Sequence, residues 1–197
     1  GFTVLKRMCE RHPNFNAIYL ADTARIPYGS RSPSEIRQIA LEVTKWFSLQ
    51  KVDALVVACN TTNSLALDIV KKFSGLPVFD LIGSLSQFIN ESRIGVLATP
   101  STVSSRAYTY NIKARNPHAF VIEEECPEFV PLIEKGDLKS DDLRVIAWRH
   151  LCPLLEADIE AIVLGCSHYP LIQGIFSELL PSKIRLIDPA IYLARNM

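Results

Sequence analysis

The chain has 197 residues, 48% hydrophobic and 21% charged, which is globular composition sufficient for one large domain or two small ones. Lys plus Arg and Asp plus Glu both number 21, so the zero net charge argues against nucleic acid or an anionic membrane surface as partner. Apolar runs such as Ala54–Cys59 are far shorter than the roughly 20 residues that span a bilayer. No basic-then-apolar leader is present, and the reading is a cytoplasmic protein. Five cysteines without a C-x-x-C pair fit reduced thiols, not a disulfide framework or a structural metal.

In chain order, Thr3–Arg11 has helical spacing, and Asn16–Leu20 reads as a short buried strand followed by the polar loop Ala21–Arg31. Ser32-Pro33-Ser34-Glu35 opens a helix, with Ser32 as N-cap, Pro33 at the first turn and Glu35 three residues after the cap. Ile36, Ile39, Ala40, Val43 and Phe47 form its apolar face. Then come a strand at Ala54–Ala58, a helix at Ser64–Phe73, a strand at Pro77–Leu81 and a helix at Ser84–Glu91.

The pattern restarts at Arg93–Ala98, a strand ending in Thr99-Pro100-Ser101-Thr102, with a helix over Val103–Lys113. Ala119–Glu123, Ala161–Gly165 and Lys183–Ile187 read as strands, and Phe129–Glu134, Asp141–Leu155 and Tyr169–Leu180 as helices. Alternating β and α units with apolar strands predict an α/β fold with parallel sheets covered on both faces. The restart predicts two similar α/β domains, 1–92 and 93–197, with the active site in the cleft between them. Both ends read as cut: Gly1 runs straight into a helix, and the chain stops soon after Asp188-Pro189-Ala190.

Two segments are versions of one another. Asp53-Ala54-Leu55-Val56-Val57-Ala58-Cys59-Asn60-Thr61 parallels Glu160-Ala161-Ile162-Val163-Leu164-Gly165-Cys166-Ser167-His168. Each is an acidic residue, an apolar strand, a small residue, a cysteine and polar groups. Ligands of such sheets bind beyond the carboxyl ends of the strands. Asp22–Gly29, Cys59–Thr61, Thr99–Thr102 and Cys166–His168 all fall there.

Two thiols on opposite sides of a carbon can remove a proton from one face and return one to the other. Both cysteines precede expected helices, whose dipoles favour thiolate. His168 lies two residues beyond Cys166, placed to share a proton. Free N–H groups at the helix starts, with Asn60, Thr61, Thr99, Thr102 and Ser167, suit a small anionic ligand. No lysine is placed for a pyridoxal Schiff base and no G-x-G-x-x-G occurs, so no cofactor is expected.

Plainer readings compete. A cysteine closing an apolar strand is more often core than catalyst, and His168 alone is as readily structural. Cys9, Cys126 and Cys152 read as packing, and His12, His118 and His150 as solvated. Pro27-Tyr28-Gly29 alone would be only a turn.

Together, Tyr19-Leu20-Ala21-Asp22-Thr23-Ala24-Arg25-Ile26-Pro27-Tyr28-Gly29, Val57-Ala58-Cys59-Asn60-Thr61 and Leu164-Gly165-Cys166-Ser167-His168-Tyr169-Pro170-Leu171 go further. The chain resembles the glutamate racemases, within the cofactor-independent aspartate/glutamate racemase superfamily, from Gly1 to about Ala190. The resemblance implies a two-domain α/β enzyme that interconverts L- and D-glutamate, the D form feeding peptidoglycan. It implies Cys59 and Cys166 as the acid/bases, Cys59 working on the D form, with Glu134 and His168 assisting near the second thiol. It places Tyr28, Gly29, Asn60, Thr61, Thr99, Thr102, Ser167 and His168 around the substrate, and homodimers are common among such enzymes. The family's N-terminal strand and D-S-G-x-G-G motif are not found; Gly1 aligns with the motif's last glycine. Ser167 stands where threonine is usual, and Asp188-Pro189-Ala190 where D-S-A is usual. A racemase for aspartate or another amino acid, a non-catalytic carboxylate binder, and a thiol hydrolase with one nucleophilic cysteine remain the alternatives.

Overall fold

A computed structural model describes all 197 residues, Gly1–Met197. Helix α1 (Phe2–Arg11) is followed by a segment without regular structure through Asp22. The long helix α2 (Pro33–Ser48) starts where its cap residues require. Ser32 accepts from the Glu35 N–H, and the Glu35 carboxylate accepts from the Ser32 N–H, closing a capping box. Strand β1 (Leu55–Val57), helix α3 (Asn60–Ser74), strand β2 (Val78–Asp80) and helix α4 (Leu81–Ser86) complete the first half. β1 and β2 pair in parallel, Val56 opposite Phe79.

The second half holds β3 (Arg93–Ala98), α5 (Pro100–Ser105), α6 (Ala107–Arg115), β4 (Phe120–Glu125), α7 (Phe129–Glu134) and α8 (Asp141–Glu156). It continues with β5 (Ala161–Gly165), α9 (Gln173–Leu179), β6 (Arg185–Ile187) and α10 (Pro189–Asn196). Its sheet is fully parallel, in the order β4-β3-β5-β6.

Side chains alternate across a strand, and here both sides are buried. Ile94, Val96, Ala98, Ala161 and Val163 join one core with Tyr108 and Ile112 of α6. Leu97, Ile162 and Leu164 join the other, with Phe129, Leu151, Leu154 and Phe176. That double coverage is why β5 reads as an unbroken apolar run. The last helix packs back on the first half: Leu193 and Ala194 share a core with Val4, Met8 and Leu81. Arg7 Nε donates to the buried Asp188 carboxylate at 3.1 Å beside that contact.

Several expected elements shift. Asn16–Leu20 is mostly exposed and forms no strand, because its backbone makes no hydrogen bond to any neighbouring strand. Helix α3 begins at Asn60, four residues earlier than its apolar spacing suggested. Helix α4 starts directly after Asp80, whose carboxylate caps the Gly83 N–H at 2.6 Å. The expected helix Val103–Lys113 is two helices divided at Arg106, whose φ of 56° interrupts the helical path. Tyr169–Leu180 opens as a four-residue 3₁₀ turn before α9.

Gly165 ends β5 against its neighbour. A Cβ there would lie 2.8 Å from the Leu97 carbonyl oxygen and 3.0 Å from the Ala98 Cβ. Gly174, in α9, has open space around it. The two glycines therefore predict opposite outcomes in urea unfolding. Gly165→Ala loses about 1–3 kcal/mol by forcing strands apart. Gly174→Ala gains about 0.4–1 kcal/mol by restricting the unfolded chain. Equal effects would mean that the close packing at the end of β5 is absent.

Candidate active site

Cys59 and Cys166 reach one place from two sheets. Parallel strands release their chains at the same edge, so β1 ends toward Cys59 and β5 ends toward Cys166. Both thiols line a cavity of about 1000 Å³, together with Tyr28, Gly29, Asn60, Thr61, Thr99, Glu134, Ser167 and His168. Of the residues singled out in the sequence, Thr102 alone is set back. It is fully buried and reaches the site only through other hydroxyls.

Cys59 is the N-cap of α3 and is partly exposed. Helix geometry leaves the N–H groups of Asn60, Thr61 and Thr62 without carbonyl partners inside the helix. A fifteen-residue helix thus points its positive end into the cavity beside this sulfur. Three hydroxyls gather next to it from both halves. Thr61 Oγ1 lies 3.2 Å from Thr99 Oγ1 and 3.5 Å from Thr102 Oγ1, and the last two are 3.1 Å apart.

Cys166 differs. It is buried, and burial pushes its thiol up to about 12, against the smaller downward pull of the His168 N–H. The expected lowering by a following helix does not occur. Only a short 3₁₀ turn follows, beginning three residues on, and desolvation outweighs it. The sulfur is 3.7 Å from His168 Nδ1, and His168 Nε2 is 2.6 Å from Glu134 Oε1. The three side chains form a relay from buried sulfur to half-exposed carboxylate. Glu134 arrives from the end of α7, which Phe129 anchors edge-to-face on Tyr169 and Phe176. Thr3 Oγ1 donates to the Ser167 carbonyl at 2.5 Å and pins the turn from the other side.

The remaining wall is the loop Pro27–Ser30. Tyr28 donates to Asp22 Oδ2 at 2.5 Å, and Arg25 Nε shares that oxygen at 2.5 Å. Burial and the bond to Asp22 raise the Tyr28 phenol above its ordinary value, so it stays protonated. Gly29 presses on Thr99, where a Cβ would approach to 2.6 Å, and its carbonyl accepts from Ser101 at 2.7 Å. These contacts hold a first-half loop against the start of α5.

Sequence reasoning missed four of these groups. Asp22 and Ser101 hold the loop, Thr3 holds the Cys166 turn, and Tyr108 donates to Asn60 Oδ1 at 2.6 Å. Asp22 and Ser101 lay inside segments that the sequence places at the strand ends, without a role of their own. Thr3 and Tyr108 carried no local signal, because their partners are distant in sequence. His150, expected to be solvated, is buried between Glu124 at 2.8 Å and Glu128 at 3.0 Å, where two carboxylates replace its hydration. Cys9, expected to pack, is exposed, because it falls on the outer face of α1. No three His, Cys, Asp or Glu side chains are grouped to hold a metal ion, and no helix is long and apolar enough to cross a membrane.

The profile of the Asp/Glu/Hydantoin racemase family matches residues 2–197. The chain is 56% identical over 190 residues to the glutamate racemase of Prochlorococcus marinus strain NATL2A, covering 96% of this chain and 72% of that one. It is 53% identical over 197 residues to the glutamate racemase of Synechococcus sp. strain CC9605, covering 100% of this chain and 74% of that one. A crystal structure of Francisella tularensis glutamate racemase in complex with D-glutamate superposes with a TM-score of 0.94 at 35% identity, covering 98% of this chain and 74% of that one. With its two parallel sheets, its paired strand-end thiols and a match along nearly all of its length, the chain belongs to the Asp/Glu/Hydantoin racemase family.

Proposed function

We propose that this protein interconverts L- and D-glutamate without a cofactor, using Cys59 and Cys166 as paired acid and base, and so supplies D-glutamate for peptidoglycan. The observation that carries the reading is that two cysteines from the ends of two different sheets line one cavity, with Asn60, Thr61, Thr99 and His168 on its walls. The curated relatives named as glutamate racemases support the choice of substrate. We place the boundary between the two units near Ser92, with α10 returning to the first.

The α-hydrogen of an amino acid is weakly acidic, so its removal needs a base close to the carbon and charge stabilisation nearby. The start of α3, the Thr61 and Thr99 hydroxyls and the Asn60 amide supply donors for a carboxylate. Starting from D-glutamate, the Cys59 thiolate takes the α-proton from one face. Cys166, held protonated by burial, delivers a proton to the other face, giving L-glutamate. The enzyme is then left with a Cys59 thiol and a Cys166 thiolate.

That state is the one needed for the reverse turnover. The His168 relay helps form it. With its Nε2–H donated to Glu134, His168 keeps a free lone pair on Nδ1 that can accept the Cys166 proton. The Glu134 carboxylate then faces an imidazolium. Tyr28, Gly29 and Ser167 complete the walls of the substrate cavity.

The reading is tested by circular dichroism of L- and D-glutamate in D₂O. Both enantiomers lose optical activity and acquire deuterium at the α-carbon, and aspartate turns over far more slowly. Comparable turnover of aspartate would move the assignment to that substrate, and binding without exchange would make the chain a carboxylate binder. Cys59→Ser and Cys166→Ser each lower racemisation by about 10²–10⁴-fold, the usual worth of a positioned acid or base. A near-normal rate in either variant would remove that thiol from the mechanism.

Cys166 also predicts a pH signature in the free protein. A thiol whose pKa is raised to about 12 stays protonated through neutral pH, and its thiolate fraction grows as pH rises. Alkylation of Cys166 by iodoacetamide, followed by peptide mass spectrometry, accelerates about tenfold per pH unit between about pH 8 and 10. The exposed Cys9 labels before the buried Cys166. Cys166 labelling as fast as Cys9 at neutral pH would contradict a burial-held thiol.

A further inference from the structure

Tyr108 lies on α6 and is fully buried, its ring in the core formed with Ile94, Val96 and Ile112. Its hydroxyl crosses to the first half and donates to Asn60 Oδ1 at 2.6 Å. Asn60 follows Cys59, opens α3 and lines the cavity. The other end of its amide is free. Nδ2 makes no hydrogen bond within the protein, yet it is not sealed off, since the one enclosed side-chain polar atom without a partner is Glu123 Oε2. The Asn60 NH₂ is therefore open to the cavity.

An asparagine amide is nearly symmetric in shape, and only its hydrogen-bond partners decide which end faces which way. The Tyr108 phenol decides it here. Asn60 Oδ1 is the one acceptor the phenol hydrogen has. Turning the amide over would strand that hydrogen in a core position and present a carbonyl oxygen to the ligand. Burial raises the Tyr108 phenol well above its ordinary value, so the donor is never lost by ionisation.

We propose that Tyr108 is a positioning residue that sets ligand specificity: it locks the Asn60 NH₂ toward the cavity, so that the site accepts an ionised carboxylate and rejects the matching carboxamide. This rests on the reading of the cleft as a glutamate site. A carboxylate oxygen only accepts, and meets the Asn60 donor well. A carboxamide turned so that its own NH₂ meets Asn60 sets donor against donor, an arrangement that discriminates by repulsion as well as by lost bonding. Without the phenol hydrogen, the Asn60 amide turns over freely and accepts from that NH₂.

The test measures binding of D-glutamate and of its two mono-amides, D-glutamine and D-isoglutamine, by titration calorimetry. The proteins compared are the unaltered protein, Tyr108→Phe, Asn60→Asp and Asn60→Ala. Phenylalanine keeps the buried ring, and thermal unfolding checks the fold. In Tyr108→Phe the preference for glutamate over one of the mono-amides falls by about tenfold, the size expected for one hydrogen bond to a charged group. Racemisation by this variant shows a raised KM with kcat changed less. Asn60→Asp keeps an acceptor for Tyr108 but has no donor for the ligand, so it inverts the preference toward that mono-amide even if Tyr108→Phe folds poorly. Unchanged preferences in both variants, with glutamate affinity lost in Asn60→Ala, would overturn the positioning role alone. Full glutamate affinity in Asn60→Ala would also remove Asn60 from the ligand site. No glutamate binding to the unaltered protein would overturn the reading beneath both.

Discussion

Strand direction is the constraint on which this site depends. A parallel strand can be followed only by a crossover, so every chain leaves the sheet at the same edge. Two short sheets built this way bring their reactive turns to one cavity without any long-range signal in the sequence. Each turn then inherits what its strand end provides. β1 feeds a fifteen-residue helix, and the groups around Cys59 are helix-end donors. β5 feeds a tight 3₁₀ turn, and the groups around Cys166 are a histidine and a carboxylate.

The repeated segments thus make unlike half-sites. Cys59 is half-open beside a helix start, and Cys166 is packed beneath the turn that follows it. On the proposed mechanism, racemisation is symmetric in its reactant and product but not in its machinery. One thiol has a helix dipole at its side, the other a relay through which a proton can leave. An enzyme that must alternate between two protonation states gains from having separate supports for each.

Much of this was legible in the residues themselves. The capping box at Ser32 and Glu35, the two-sided apolar strands β3 and β5, and the paired cysteines were all local patterns. Glu134 was not, since nothing near Val130–Ile133 marks a partner for His168 thirty-four residues on; only the family resemblance pointed to it. Tyr108 was invisible for the same reason, its partner Asn60 lying forty-eight residues away. Asn16–Leu20 misled because strand composition is only half of a strand; the other half is a neighbour that accepts its hydrogen bonds. Cys166 misled because the helix-end argument gave a direction, while the depth of burial decided the outcome.

The three threonine hydroxyls have a further consequence. Each can donate one hydrogen and accept another, and all three lie within 3.5 Å of each other. Such a triangle has two ways of circulating its hydrogens, clockwise or anticlockwise, with no heavy atom moved. On the proposed reading, an anion that accepts a hydrogen from Thr61 or Thr99 leaves the triangle one bond short and selects one pattern. The wall of the cavity can therefore change its polarity by rotating hydroxyl hydrogens alone. The ordering cost is that of choosing between two patterns.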